Sequence, residues 1–153
     1  MNTAPLADLD ALREHLHTDH GIQLTCSNSE FVARTRAHWL TRSFQARPVP
    51  RVIAAARHLA ATVPTAVASA NDGQVVRAGL TAVGLADLFD VLVAREQVTQ
   101  LKPAPDAYLL AAAQLATDPQ RCLAFENTAE GITSARAAGI PVIDIREETG
   151  TVQ

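Results

Sequence analysis

The chain has 153 residues, with 13 Lys+Arg against 16 Asp+Glu and a formal net charge of −3. Hydrophobic residues make up 48% and charged residues 19%; that globular balance excludes a disordered chain and a polybasic nucleic-acid surface, and no apolar run approaches the roughly 20 residues that span a bilayer. Two cysteines, Cys26 and Cys122, make no disulfide framework, and the N-terminus lacks the basic and apolar regions of a secretory signal, so a reducing, cytoplasmic setting is expected.

The first 47 residues read as helices. Leu6, Leu9, Leu12 and Leu16 recur at helical spacing, Asp8 or Asp10 offers an N-cap, and Gly21 ends the run. A second helix is expected over residues 28–44, with Ser27 or Asn28 as N-cap and Phe31, Val32, Thr35 and Trp39 packed on one face. Arg47-Pro48-Val49-Pro50 then breaks the pattern, because proline restricts itself and the residue before it. The boundary therefore divides a helical segment, 1–47, from an α/β core, 48–153.

From there helices and strands alternate. The expected order is helix 51–61, strand 65–69, helix 73–83, strand 90–94, helix 105–116, strand 122–126, helix 130–138 and strand 141–145. Alternation of this kind means crossovers and a parallel, Rossmann-like sheet with helices on both faces.

Ligands of open parallel sheets bind beyond the carboxyl ends of the strands. Ser69 and Asn71 follow the first strand, where a hydroxyl, an amide and the N–H groups opening a helix make an anion site. Asn71 or Asp72 as a simple helix cap is the plainer alternative. Lys102, held between Leu101 and Pro103, brings a positive charge to the same anion. It is the single lysine among thirteen basic residues, which points to a need for a compact ammonium rather than a planar guanidinium. Glu126 ends an apolar strand, where a carboxylate needs a partner, and a hard cation such as Mg²⁺ is a natural one. Asn127-Thr128-Ala129-Glu130 also fits a helix start with Asn127 as the cap.

With Ser69, Lys102 and Glu126 in that order, residues 48–146 resemble the haloacid dehalogenase-like hydrolases. The nearest likeness is to the β-phosphoglucomutase and fructose-1-phosphatase group. The resemblance rests on Ser69, on Lys102-Pro103-Ala104-Pro105-Asp106, on Phe125-Glu126-Asn127-Thr128-Ala129-Glu130-Gly131-Ile132, and on Ala135-Arg136-Ala137-Ala138-Gly139. A receiver domain also uses a hydroxyl and a Lys-Pro, but its acidic cluster precedes them. The resemblance implies a phosphatase of a small phosphomonoester such as a sugar phosphate. Ser69 and Lys102 would be catalytic, Ser69, Asn71 and Lys102 would hold the phosphate, and Glu126 and Asn127 would hold Mg²⁺. Asn127 stands where the family usually has Asp, which weakens the expected affinity for Mg²⁺.

The family's first motif, Asp-x-Asp-Gly-Thr on an apolar strand, supplies the nucleophile of an aspartyl-phosphate intermediate. Here Asp8-Leu9-Asp10 is followed by Ala11-Leu12, at helical leucine spacing. The central nucleophile strand is thus expected to be missing and residues 1–47 to be a partial helical cap, as in a late-started or shortened form. The alternative function is an inactive pseudoenzyme, or a phosphate-binding or scaffold protein that self-associates through open sheet edges. In the family the missing strand lies between those ending at Ser69 and Glu126. Each backbone group it leaves unpaired costs about 1–3 kcal/mol, against a domain stability of about 5–15 kcal/mol. The two strands must close on each other, take up another segment or chain, or leave the protein poorly stable. His15, His17 and His20 beside Asp19 read as a solvated helix face rather than a metal cluster.

Overall fold

The computed structural model describes residues 9–45 and 47–146, which fall into two compact units divided between Thr41 and Arg42. The expectations on Leu6 and Asp8, and on the side chains of Leu9, Asp10 and Leu12, lie outside the described residues.

The first unit holds two helices, α1 (Leu9–His20) and α2 (Asn28–Leu40). Gly21 ends α1 at φ 65, a left-handed conformation that glycine adopts without strain. Ser27 is the N-cap of α2, its hydroxyl accepting from the Glu30 N–H. The Arg13 guanidinium binds the start of α2 and the loop before it, donating to Asn28 Oδ1 at 2.7 Å and to the carbonyls of Leu24 and Cys26. Trp39 is 54% exposed and α2 buries no residue fully, which corrects the packed reading of Trp39. Two short helices offer too little apolar surface to enclose an indole. His15, His17 and His20 are exposed, and His15 pairs with Asp19 at 3.1 Å. No metal-binding cluster of such groups occurs among the described residues.

The second unit alternates as the sequence predicts: α3 (Pro50–Ala60), β1 (Ala66–Ala68), α4 (Gly73–Ala82), β2 (Val91–Val93), α5 (Asp106–Gln114), β3 (Ala124–Glu126), α6 (Ala129–Ala137) and β4 (Val142–Asp144). Pro50 opens α3 at a position where its missing N–H costs nothing. The strands do not make one continuous sheet. β1 pairs in parallel with β2, and β3 with β4, while β1 and β3 share no ladder. Closure of those two strands on each other, one of the outcomes expected above, is therefore not what the described residues adopt.

Side chains join what the ladders leave apart. α5 lies against β1 and β2, α6 against β3 and β4, and the two helices touch. Val93, Ala107 and Ala111 form one buried cluster, with Ala66, Ala68 and Val91 packed on it. Tyr108, Ala124, Ala135, Ala138 and Ile140 form the other, and Ala68 packs on that one too. The alanines let helices and strands approach closely. The opposite side of β3 and β4 is less covered: Phe125 is half-buried and Ile143 exposed.

One buried polar contact ties α6 to the loop before α5. The Ser134 hydroxyl, fully buried, donates to the Ala104 carbonyl at 2.6 Å. We expect Ser134→Ala to cost about 1–3 kcal/mol, because the carbonyl loses its donor away from water. A urea unfolding midpoint equal to that of the unsubstituted chain would contradict this.

Candidate phosphate site

Three elements bring the sequence-predicted residues to the carboxyl ends of β1 and β3. β1 ends at Ala68, followed by Ser69, whose N–H donates to the Val93 carbonyl of β2 at 2.9 Å. β3 ends at Glu126. Between them comes Lys102, on a loop fastened at both ends. The Asp106 carboxylate accepts the Gln100 N–H at 3.1 Å, and Ser134 holds Ala104. The Lys102–Pro103 peptide is cis.

Lys102 and Glu126 form a buried ion pair, with side chains 11% and 8% exposed. All three donors of the ammonium are used. They go to Glu126 Oε1, to the Ala68 carbonyl at 3.1 Å and to the Tyr108 hydroxyl at 3.5 Å. The ammonium also stands 4.7 Å from the Tyr108 ring centroid, a cation–π distance. Glu126 is equally engaged. Oε1 accepts from Lys102 and, at 2.6 Å, from the Tyr108 hydroxyl; Oε2 accepts from the Asn127 N–H at 3.1 Å and the Thr128 hydroxyl at 3.3 Å.

The local sequence explains the fit. Thr128, not Asn127, is the N-cap of α6; its hydroxyl accepts from the Gly131 N–H at 3.0 Å. Gly131 leaves room for the carboxylate, since a Cβ there would overlap Glu126. Burial pushes the Tyr108 phenol up, and its bond to Glu126 pushes it further, so it stays protonated and donates. Burial alone would raise Glu126. The bonds from Lys102, Tyr108 and the Asn127 N–H outweigh that and hold it below its ordinary value.

The remaining predicted residues sit at the edge. The Ser69 hydroxyl accepts from the Asn71 N–H at 3.1 Å, and Asn71 is exposed. Asp72, not Asn71, caps α4 by accepting from the Gln74 N–H at 3.0 Å. The Gly73 N–H, which the sequence offered to an incoming anion, already reaches the Glu96 carboxylate at 3.0 and 3.3 Å. Gly73 permits this approach, because a Cβ would meet Glu96.

A divalent cation does not fit this arrangement. The expected ligands are Glu126, whose oxygens are taken by four protein donors, and Asn127, a neutral and exposed amide. No set of three metal-ligating His, Cys, Asp or Glu occurs among the described residues. Hard cations need several free oxygen ligands.

Sequence reasoning placed Lys102, Glu126 and Ser69 at one sheet end. It did not see Tyr108, Thr128 or Glu96 as parts of the site. Tyr108 carried a signal: a tyrosine on a face of alanine and leucine needs a buried partner for its hydroxyl. No such signal marks Glu96, which depends on the Gly73 backbone lying within reach.

The model of haloacid dehalogenase-like hydrolases matches residues 6–139. Fructose-1-phosphate phosphatase YqaB of Escherichia coli (strain K12) is 40% identical over 83 residues, which are 54% of this chain and 44% of that protein. Hexitol phosphatase A of the same strain is 38% identical over 104 residues, 67% of this chain and 48% of that protein. The chain thus spans about half the length of these relatives. The crystal structure of CbbY from Rhodobacter sphaeroides in complex with phosphate superposes with a TM-score of 0.75 at 25% identity, covering 87% of this chain and 62% of that one. No described helix is long and apolar enough to cross a membrane.

The ion pair has a pH signature. A carboxylate held below its ordinary pKa stabilises the fold above its unfolded value, and that stability is lost as pH falls through the lowered folded value. We expect Glu126→Gln to cost about 3 kcal/mol at neutral pH, because it leaves Lys102 buried without its counter-ion. Urea unfolding of both proteins should show a constant gap above 4.5, the ordinary value, and a narrowing gap below it. A gap that widens on acidification would contradict the assignment.

Proposed function

Because the chain belongs to the haloacid dehalogenase-like hydrolases, we propose that this site takes the phosphoryl group of a small phosphomonoester such as a sugar phosphate. The observation that carries the proposal is the buried ammonium of Lys102, set at the ends of two parallel strands beside Ala68 and Glu126. A compact cation in a low-dielectric site is the group that neutralises a phosphate. Ser69 and Asn71 follow Ala68, whose carbonyl the ammonium reaches, and are proposed to supply a hydroxyl and an amide for the remaining oxygens. Fructose-1-phosphate phosphatase YqaB and hexitol phosphatase A, by name phosphatases of sugar and sugar-alcohol phosphates, favour this class of ligand. Residues 1–47 are proposed as part of the cap that sets the choice among such ligands.

A second reading, phosphate binding without turnover, rests on two observations. Asp10 stands in the helix Leu9–His20 and not on a strand. The carboxylate against Lys102, Glu126, is bound by four donors and is no free nucleophile. Neither Asp10 nor Glu126 is therefore proposed as the nucleophile of an aspartyl-phosphate route, and binding is the activity proposed for this chain alone. Phosphatases of this family generally use Mg²⁺. The present arrangement of Glu126 and Asn127 offers it no site, so no step is assigned to it.

Titration calorimetry with inorganic phosphate tests the proposal. Binding to the unsubstituted chain is expected to vanish in Lys102→Met. Unchanged binding in that variant would overturn the site. Hydrolysis of p-nitrophenyl phosphate that disappears in Lys102→Met would favour the enzymic reading over binding alone.

A further inference from the structure

The ammonium of Lys102 has no donor left for a phosphate. Two of its three partners are neutral, the Ala68 carbonyl and the Tyr108 hydroxyl. The third is an anion, the Glu126 carboxylate. An incoming phosphate offers the same charge-assisted bond that Glu126 makes, so Glu126 is the partner it competes with.

Displacing a buried carboxylate from its counter-ion ordinarily costs a great deal, because the charge is left unpaired. Here Glu126 keeps three other donors. The Tyr108 hydroxyl at 2.6 Å stays on Oε1, and the Asn127 N–H and Thr128 hydroxyl stay on Oε2. Tyr108 is the important one, since it shares Oε1 with Lys102 and lies in the buried core.

We propose that Glu126 is an internal anion occupying the phosphate position on Lys102, that phosphate binds by exchanging with it, and that Tyr108 is the positioning residue that holds Glu126 after the exchange. This rests on the phosphate reading given above. Glu126 acts in this chain as the counter-ion of Lys102, in place of the metal-ligand role expected from the sequence. The pair of Lys102 and Glu126 carries no net charge. Any oxyanion must supply more binding than Glu126 gives up, so weakly coordinating anions are excluded.

The chain contains a single lysine, so isotope-labelled lysine gives one side-chain signal, that of Lys102. Its shift is followed by NMR during titration with inorganic phosphate in EDTA, for the unsubstituted chain, Glu126→Gln and Tyr108→Phe. Glu126→Gln removes the competitor and is expected to bind phosphate about tenfold more tightly, on the scale of one charge-assisted hydrogen bond. Tyr108→Phe keeps the ring but leaves Lys102 as the sole donor to Oε1. It is expected to bind about threefold more weakly. Opposite directions are the diagnostic result, since merely structural damage would weaken both. Equal or weaker binding in Glu126→Gln, with the unsubstituted chain still binding, overturns the exchange and leaves the phosphate reading standing. No phosphate-dependent shift in any of the three proteins overturns the phosphate reading itself. If Glu126→Gln does not fold, Tyr108→Phe decides: affinity equal to the unsubstituted chain overturns the proposal.

Discussion

A buried lysine must find a counter-charge, and here Glu126 supplies it. That requirement organises the carboxyl ends of both strand pairs. Lys102 comes from the loop before α5, Glu126 from the end of β3, and the Ala68 carbonyl from the end of β1. Tyr108 adds α5, and Thr128 adds the first turn of α6. Every acceptor position of the carboxylate and every donor of the ammonium is filled. In a low-dielectric interior a half-filled network would be worse than an apolar one.

The same network explains how β1–β2 and β3–β4 hold together without a ladder between them. Parallel sheets ordinarily distribute cohesion along backbone hydrogen bonds. Here the junction is made by Lys102 and by Ala68, which packs on both buried clusters. Small residues and one salt bridge take over from a strand-to-strand ladder. The cost is specificity of place: the pair works only where Gly131 leaves space and where Asp106 and Ser134 fix the Lys102 loop.

Much of this was legible in the sequence. Alternating apolar runs and proline breaks located four strands and six helices, because burial enforces periodicity. The lone lysine and the carboxylate closing an apolar strand marked two of the central residues. Three things were not legible. The gap between the two strand pairs falls where a missing strand was expected, but that β1 and β3 stay apart instead of closing on each other depends on tertiary pairing, which periodicity does not encode. Trp39 carried a helical spacing that its small unit does not bury. The bonding of Glu126 was hidden because sequence shows a charge and not its partners. Its four donors come from residues 102, 108, 127 and 128, and only the fold brings the first two to it.

The central claim is that Lys102 and Glu126 depend on each other. A double-mutant cycle of Lys102→Met and Glu126→Gln, read by urea unfolding at neutral pH, measures that dependence directly. Each single change should be severe and the double change far less than their sum, with a coupling of about 2–3 kcal/mol for a desolvated pair. Additive effects would show that the two charges stabilise the fold independently, and would contradict the account.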